Sequence, residues 1–172
     1  MVHRRKRGTA LVDTPNGILL VSETGSRFSL PGGGARKSES RENAAIRELE
    51  EETGLKAIDS QLLFEHTGPI HRSYGGGYYR DIHKVFLILS AGVAKPRKEV
   101  KVLAYSTDPN LQLTTATKDI IEKYQKIRNP AKAYTALTCE KDGAPLKFTE
   151  HATFIQCEYC KTIYYKGDFF RS

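Results

Sequence analysis

Cysteine is scarce in this sequence, and its three cysteines all lie in the last quarter of the chain. An odd number of cysteines confined to one end argues against a disulfide framework of the kind that stabilises small secreted proteins. We therefore expect a protein of a reducing compartment, the cytoplasm.

Long apolar runs are also missing. The apolar stretch at residues 85–89 is far shorter than the roughly 20 residues that a membrane-spanning helix needs. No long apolar run follows the basic N-terminus, as it would in a secretory signal. These absences argue against a membrane protein and favour a soluble protein that is not exported.

Positive charge, in contrast, is abundant. The net charge is +7 and the pI is about 9.3, and a basic surface concentrates phosphate-bearing ligands around a protein. The basic residues 3–7 either contact RNA or substrate phosphates or form a solvated terminal tail. Short basic termini are commonly mobile, which favours the tail, and RNA remains a possible partner.

The first part of the chain predicts strands followed by a helix. Residues 8–12 and 18–22 have the pattern of two strands, and the Asn16-Gly17 turn between them predicts an antiparallel pair. After the glycine-rich residues 31–34, good helix formers predict a helix at about residues 40–53. Its expected caps are Ser38 or Ser40 at the start and Gly54 at the end.

The second part predicts the end of one domain and a short extension. Strands are expected at residues 62–65, 83–89 and 100–104, and the apolar spacing at residues 117–127 predicts an amphipathic helix. Asn129-Pro130 then breaks the chain, and the composition changes after it. We therefore expect a main domain at residues 1–128 and a C-terminal extension at residues 129–172.

Three glutamates carry the chemistry of the main domain. On a helix, Glu48, Glu51 and Glu52 stand at i, i+3 and i+4, so their carboxylates point to one side. Three like charges repel unless a cation lies among them, and carboxylate oxygens are preferred ligands of Mg²⁺. A metal next to a glycine-rich loop is then a phosphate site, because glycines let backbone groups approach oxyanions closely.

A simpler interpretation is that residues 48–52 form a solvated acidic helix end, as charge runs usually do. That interpretation does not explain why the run follows a Pro-Gly-Gly-Gly segment, with a further glutamate at a fixed offset and a glycine after it. Ala45 and Leu49, four residues apart, can pack the opposite side of the same helix on a sheet. One helix can thus serve both the core and the site.

Residues 33–55 resemble the Nudix box of the MutT-like Nudix hydrolases. Gly33 is followed after five residues by Glu39, and after seven more by the run RELEEETGL at residues 47–55. Every position that the family pattern fixes is matched. The resemblance implies a Nudix-type α/β/α sandwich with a mixed β-sheet as far as residue 128, and it leaves the extension uncovered.

The resemblance also implies roles for individual residues. Glu48, Glu51 and Glu52 would bind catalytic Mg²⁺ or Mn²⁺, with the carbonyl of Gly32 as a further ligand. A salt bridge between Glu39 and Arg47 would join the loop to the helix, with Gly33 and Gly54 as the structural glycines of the box. The base that activates water varies among Nudix enzymes; Glu48 is favoured here, and the candidates outside the box are Glu99 and Asp108.

Substrate choice in the family depends on residues outside the box. The segment at residues 65–80 reads as a mobile glycine-rich loop whose aromatics could stack on a base and whose arginines could pair with phosphate; the candidates are Arg72, Tyr74, Tyr78 and Arg80. Alternatively it is a long hairpin connection whose tyrosines cover a sheet edge. Arg27 is a further candidate phosphate contact, and Pro69 stands near a proline of ADP-ribose-cleaving relatives.

The extension contains a candidate zinc site. Cys157 and Cys160 form a CxxC pair, which matches the knuckle that supplies two thiolates to structural zinc. Cys139 and His151 could complete four ligands in a degenerate zinc-ribbon-like β-hairpin. Reduced thiols in a plain hairpin are the alternative.

The sequence thus predicts an Mg²⁺-dependent hydrolase of the diphosphate linkage of a nucleoside diphosphate derivative. The substrates left open are ADP-ribose-like sugars, dinucleoside polyphosphates, nucleoside triphosphates and capped RNA, and a homodimer is possible. The alternative is a non-catalytic Nudix-fold module that binds a nucleotide or RNA. Such modules typically lose box glutamates, whereas this sequence keeps all of them.

Overall fold

The computed structural model describes residues 1–128, 141 and 154–165. Two helices and nine strands occur in these residues. In chain order they are β1 (Val2–Leu11), β2 (Asp13–Thr14), β3 (Gly17–Ser22), β4 (Gly32–Gly34), α1 (Arg41–Thr53), β5 (Lys56–Arg72), β6 (Tyr78–Ala91), β7 (Val102–Tyr105), α2 (Thr115–Ile127), β8 (Phe154–Gln156) and β9 (Ile163–Tyr165).

A four-stranded mixed sheet, in the order β4-β1-β6-β5, is the centre of the molecule. β1 runs parallel to β6 over its whole length without a register shift, and it runs antiparallel to β4. β5 and β6 form an antiparallel hairpin. A smaller sheet has the order β2-β3-β7.

The two helices cover opposite faces of the central sheet. Alternate residues of a strand point to opposite faces, and β1 shows this directly. Ala10 belongs to the apolar cluster that includes Ala45 and Leu49 of α1, whereas Leu11 belongs to the cluster that includes Ile120 of α2. The predicted α/β/α sandwich with a mixed sheet is confirmed.

Helix α1 begins and ends where its capping residues predict. The Ser40 side chain accepts a hydrogen bond from the amide of Asn43, and Gly54 ends the helix with a φ of 75°, a conformation that glycine adopts readily. Ser38, the other predicted cap, lies outside the helix. Ala45 and Leu49 are fully buried, so the predicted apolar side of the helix is confirmed.

Two predictions about exposed segments are wrong. The basic residues 3–7 are not a terminal tail, because they lie within β1 and pair with β6. The segment at residues 65–80 is not a long loop either, since β5 continues to Arg72 and β6 begins at Tyr78. Residues 2–6, 67–72 and 78–82 together form a three-stranded part of the sheet, which we call the arm.

The predicted pairing of residues 8–12 with residues 18–22 is also wrong. Both edges of β1 are taken, by β6 on one side and β4 on the other. The Asn16-Gly17 turn does make a hairpin, but its first strand is only Asp13–Thr14. β3 pairs instead with β7, so the chain leaves the central sheet after Leu11 and starts the smaller one.

The later predicted elements are present with shifted ends. The strands expected at residues 62–65, 83–89 and 100–104 are β5, β6 and β7, of which the first two are much longer than predicted. The helix expected at residues 117–127 is α2, which begins two residues earlier. Within the part of the chain that the structure describes, neither helix has the length and apolarity needed to cross a bilayer.

Candidate active site

Glu52 is the most buried of the three box glutamates. It lies near the end of α1 with only 7% of its surface exposed, and its Oε2 atom accepts a hydrogen bond from the amide of Gly32 at 3.2 Å. The glycine-rich β4 thus faces the last turns of α1. This contact ties the loop side of the box to its helix side.

Arg47 binds three other acidic groups of the box. Its Nε and Nη2 atoms donate to the two carboxylate oxygens of Glu39, at 2.8 and 3.1 Å. Its Nη1 atom donates to Glu48 at 2.7 Å and to Glu51 at 3.0 Å. The salt bridge expected between Glu39 and Arg47 is therefore present, and the same guanidinium also holds two of the predicted metal ligands.

Gly33 allows Glu48 to lie against β4. A Cβ atom at this position would lie 2.2 Å from Glu48 Oε1 and 2.5 Å from its Cδ. Any residue other than glycine would therefore move the Glu48 carboxylate. The glycine of the box is needed for this close approach rather than for an unusual backbone angle.

The charges of the site differ in their environments. Burial, the largest cause, and the charges of Glu48 and Glu99 together raise the pKa of Glu52 to about 8, although the hydrogen bond from the Gly32 amide and the charge of Arg7 lower it. The hydrogen bonds from Arg47 lower the pKa of Glu39 to about 2. Without a cation beside it, Glu52 therefore takes up a proton near neutral pH, whereas Glu39 stays ionised.

The residues fit a hard divalent cation by their chemistry. Within residues 1–128, 141 and 154–165, no three acidic, histidine or cysteine side chains are gathered as a metal site. Arg47 instead lies on Glu48 and Glu51, and Arg7 Nη2 donates to the Gly32 carbonyl at 2.7 Å. These arginines balance the charge that a metal ion would balance. All the donors are carboxylate or carbonyl oxygens, the set that Mg²⁺ and Mn²⁺ prefer.

The two candidate bases outside the box lie in different places. The charge of Glu99 reaches Glu52 and raises its pKa. Asp108 lies in the turn after β7, where its carboxylate accepts the amide of Asn110 and its neighbour Thr107 donates to the carbonyl of Asn16. Of these two, only Glu99 has an electrostatic contact with the box.

A cavity of about 280 Å³ lies on the α2 side of the central sheet. Its lining is polar and carries several cationic or titratable groups; the lining residues include Arg7, Thr9, Arg27, Pro69, His71, Asp81, His83, Thr115 and Thr117. Arg7 belongs to both places, since it lines the cavity and donates to the carbonyl of Gly32. The cavity therefore adjoins the loop side of the box.

His83 is a buried polar group in the wall of this cavity. Its Nδ1 atom lies 2.9 Å from Thr9 Oγ1, and its Nε2 atom is buried without a hydrogen-bond partner among the described residues. Burial, and then the charge of Arg7, lower its pKa to about 4. The imidazole is thus neutral at physiological pH, and one of its ring nitrogens is left without a hydrogen-bond partner among the described residues.

The first turn of α2 forms another wall. Thr114 caps the helix by accepting the amide of Thr117, whose own hydroxyl accepts the amide of Leu30 at 3.2 Å. Helix N-termini favour negative groups, because their first amides lack partners and the helix dipole is positive there. Together with Arg7 and Arg27, this end of α2 makes the cavity suited to an anionic or strongly polar ligand.

The family model described as the NUDIX domain matches residues 2–122 of this chain. The chain belongs to the Nudix family. The match begins at the start of β1 and continues into α2, so it includes the carboxylate site and all the lining residues of the cavity.

Individual Nudix proteins are similar over different lengths. The crystal structure of a Nudix hydrolase family member from Chromobacterium violaceum has 33% sequence identity and a TM-score of 0.61, with 73% of this chain and 79% of that chain covered. A MutT Nudix hydrolase from Burkholderia pseudomallei shares the fold at 23% identity and a TM-score of 0.55, over 70% of this chain and 97% of that one.

An RNA pyrophosphohydrolase from Teredinibacter turnerae is 41% identical over 58 residues. The match includes 33% of this chain and 34% of that protein. It therefore spans only about a third of the length of this relative.

The predicted substrate contacts of this Nudix protein are only partly brought together. Arg27 and Pro69 line the cavity, whereas Arg72, Tyr74, Tyr78 and Arg80 do not. Tyr74 stands fully exposed at the tip of the β5–β6 hairpin. Residues that the sequence did not single out, Thr9 and His83 among them, form the wall instead. Two signals in the sequence could have indicated part of this wall. One is the alternation of residues along β1, which puts Arg7 and Thr9 on the same face, and the other is the group of threonines at the start of α2.

The candidate zinc ligands lie in and around the β8–β9 hairpin. Cys157 and Cys160 stand in its turn, where Cys157 is buried and Cys160 Sγ lies 3.1 Å from Thr162 Oγ1. Cys139 and His151 lie outside the described residues. Structural zinc, and the domain boundary at residue 128, stay predictions.

Proposed function

We propose that this Nudix protein is a metal-dependent hydrolase that cleaves the diphosphate linkage of a nucleoside diphosphate derivative. The observation that carries the proposal is the buried Glu52 carboxylate on the Gly32 amide, one helical turn from Glu48 and next to a cationic cavity. Burial of a carboxylate without a paired cation is costly. Carboxylates whose pKa is strongly shifted by burial cluster at functional sites.

The substrate would lie with its phosphates between the box and the cavity. Glu48, Glu51, Glu52 and the Gly32 carbonyl would hold Mg²⁺ or Mn²⁺, which when bound polarises a phosphoryl oxygen and makes water more acidic. Arg7, which touches both the Gly32 carbonyl and the cavity, would bind the phosphate chain. Arg47 would keep Glu48 and Glu51 on the side of the helix that faces β4.

The reaction is a displacement at phosphorus. Water attacks one phosphorus of the diphosphate, the bond from that phosphorus to the bridging oxygen breaks, and the second phosphate leaves with the electron pair. Glu48 would accept the proton of the attacking water, since Gly33 lets its carboxylate lie against β4. Glu99 is the alternative acceptor, supported by its electrostatic contact with Glu52; nothing in the surroundings of Asp108 supports that residue.

The cavity would hold the part of the substrate beyond the cleaved linkage. His83 and Thr117 line this cavity, the first amides of α2 would offer hydrogen bonds, and Arg27 at the rim would offer a charge. Among the possible substrates, the likeness to an RNA pyrophosphohydrolase supports the phosphorylated 5′ end of an RNA. ADP-ribose-like sugars, dinucleoside polyphosphates and nucleoside triphosphates are the other members of the substrate class.

The test is hydrolysis of a panel that contains one member of each substrate type. Wild-type protein is incubated with each compound and Mg²⁺, Mn²⁺ or EDTA, and the phosphate-bearing products are separated by anion exchange. We expect at least one compound to be cut at its diphosphate linkage with metal and none with EDTA. If the compounds bind but none is cut, the non-catalytic nucleotide- or RNA-binding module replaces the hydrolase.

A further inference from the structure

The α1 side of the arm carries a row of cations, which we call the basic face. The position of Gly8 identifies the side of β1 that faces α1, because a Cβ at residue 8 would lie 1.9 Å from the carbonyl oxygen of Arg41 in α1. The register of β1 with β6 is unbroken from Val2 to Leu11. Alternation therefore puts Arg4 and Lys6 on the same side as Gly8, beside Arg80 of β6 and, through β5, Arg72.

These cations form no ion pair with another described residue. Arg4 lies directly opposite Arg80 in the register, and like charges in that position destabilise a sheet. Among the ion pairs of the described residues, none includes Arg4, Lys6, Arg72 or Arg80. Glu65, an acidic side chain on the same side, binds Arg41 instead.

The opposite side of the same strands is neutralised. Arg5 donates twice to the carboxylate of Asp81, at 2.7 and 2.9 Å, and its guanidinium lies 3.9 Å from the centre of the Tyr79 ring. The two sides of the arm therefore differ although they are built from neighbouring residues of one sequence. Within the part of the chain that the structure describes, the basic face therefore carries positive charge that no ion pair balances, and such a face suits an anionic ligand.

The basic face leads to the box. The amide of Ala35, directly after β4, donates to the carbonyl of Lys6, so Lys6 borders the loop that precedes α1. Exposed Arg36 and Lys37 continue the positive charge along that loop, and Arg36 reaches Glu51 at 3.3 Å. A ligand with repeated negative charges could therefore contact the arm and the box at the same time.

We infer that the basic face binds the phosphodiester backbone of a single-stranded RNA whose 5′ end lies at the box. Cations repeat at about 6.6 Å along a strand and about 4.8 Å between strands, which gives a track for successive phosphates. Tyr78, half exposed on the same side, offers a ring on which a base can stack. RNA chains begun without a primer keep a 5′-triphosphate, which contains the diphosphate linkage that the proposed reaction cleaves. The inference therefore rests on the proposed function.

The experiment measures binding without hydrolysis. Fluorescence anisotropy gives the affinity of the full-length protein for a labelled 15-nucleotide RNA that ends in a 5′-hydroxyl and so offers no diphosphate to cut. The arm variant carries Arg4→Gln, Lys6→Gln and Arg72→Gln, all at exposed positions. The matched control loses the same charge elsewhere, through Lys56→Gln, Lys101→Gln and Lys126→Gln, also exposed.

We expect the arm variant to bind RNA at least about tenfold more weakly, with the slope of log K against log salt reduced by about 2, as the loss of three phosphate contacts predicts. The control variant should stay within about twofold of the wild type. Equal weakening by both variants, no weakening by the arm variant, or tighter binding to anionic vesicles than to RNA would overturn the inference.

A deoxyoligonucleotide that binds as tightly as the RNA would overturn the choice of RNA. Failure of hydrolysis on the substrate panel leaves this result unchanged, because the probe carries no cleavable linkage. The failure of the proposed function and the failure of this inference are therefore distinguishable. Circular dichroism of both variants verifies that each is folded, since all six positions are on the surface.

Discussion

The two helices are of equal length and cover opposite faces of one sheet, yet they serve the site with different parts. Each has 13 residues and a hydroxyl side chain at its N-cap, Ser40 for α1 and Thr114 for α2. Helix α1 contributes side chains from its last turns. Helix α2 contributes its first turn, where backbone amides and threonine hydroxyls meet the cavity.

The packing of the helices explains this difference. Helix α1 lies close on β1 through Ala45 and Gly8, and that contact turns its carboxylates toward β4. Helix α2 packs through the larger Ile120, Ile121 and Tyr124, which leaves a cavity between its first turn and the sheet. Small residues thus bring one helix close, while large residues at the other helix leave space for a ligand.

Glu52→Gln should have the largest effect, and it acts on the α1 side alone. We expect hydrolysis of the best substrate to fall by about 10³-fold or more, because the variant loses a carboxylate that we propose as a metal ligand. The fold should not suffer. The pKa of Glu52 rises from 4.5 in the unfolded chain to about 8 in the fold, so the free energy of unfolding decreases as the pH rises from 4.5 to about 8 and stays lowered above it.

Glutamine resembles the protonated acid, so Glu52→Gln should melt at the same temperature as the wild type or higher at pH 8. Calorimetry and steady-state kinetics on the same preparation provide the measurement. Glu50→Gln is the control, since Glu50 is exposed on the solvent side of α1 and should change neither value. A lower melting temperature in Glu52→Gln alone would contradict the account of its burial.

Two glycine substitutions separate packing from chemistry on the α1 side. In Gly8→Ala the new Cβ meets backbone, the Arg41 carbonyl at 1.9 Å and the Ala45 amide at 2.7 Å, so α1 itself must move. In Gly33→Ala the new Cβ meets the end of the Glu48 side chain, which can rotate away. We expect Gly8→Ala to lower the melting temperature by several degrees, as about 1–3 kcal/mol of overpacking implies.

Gly33→Ala should melt near the wild-type temperature and lose hydrolysis by about 10- to 100-fold, because the Glu48 carboxylate is displaced. Thermal denaturation and kcat of both variants give the comparison. If Gly33→Ala loses stability as Gly8→Ala does, β4 rather than the Glu48 side chain yields to the added methyl.

The α1 half of the site could be predicted from the sequence because its signals are local. Glu48, Glu51 and Glu52 share one helix, and Gly54 lies directly after it, so spacing alone indicates their direction. The fold class followed from the same segment through its resemblance to the Nudix box. Contacts between distant residues were not needed to predict this half of the site. The structure adds such contacts, for example the hydrogen bond from the Gly32 amide to Glu52.

Apart from helix α2 itself, Arg27 and Pro69, the α2 half could not be predicted, because it depends on pairings between distant segments. Thr9 and His83 meet only since β1 runs parallel to β6, and a parallel pairing leaves no turn signal in the sequence. Residues 3–7 read as a tail for the same reason: their partner strand begins at Tyr78. The arm is formed by this pairing of β1 with β6. The difference in charge between its two sides can be assigned only when the register of the pairing is known.

A pH titration tests the α2 side through His83. Its pKa falls from an ordinary 6.5 to about 4 in the fold, so the unfolded chain binds a proton that the folded protein excludes between these values. Stability is therefore complete above pH 6.5 and decreases as the pH falls toward 4, by about 3 kcal/mol from this group. Urea unfolding between pH 4 and 7 measures the decrease.

The variant His83→Asn isolates this contribution. Asparagine can keep a hydrogen bond with Thr9 but takes up no proton in this range. We expect the free energy of unfolding of the variant to depend less steeply on pH than that of the wild type, with the two curves parallel above pH 6.5. Curves that stay parallel down to pH 4 would assign the acid sensitivity to other groups.

Arg27→Gln should have the smallest effect, because Arg27 is exposed at the rim of the cavity. A charge at that place is partly screened by solvent, so its loss should raise KM about three- to tenfold and leave kcat unchanged.

Arg7 lies deeper and also contacts the Gly32 carbonyl, so Arg7→Gln should lower kcat as well. Kinetics of both variants with one small nucleotide substrate give the comparison. If Arg27→Gln lowers kcat as much as Arg7→Gln does, the α2 side acts on the transition state and not only on substrate binding, and the division of labour between the two helices fails.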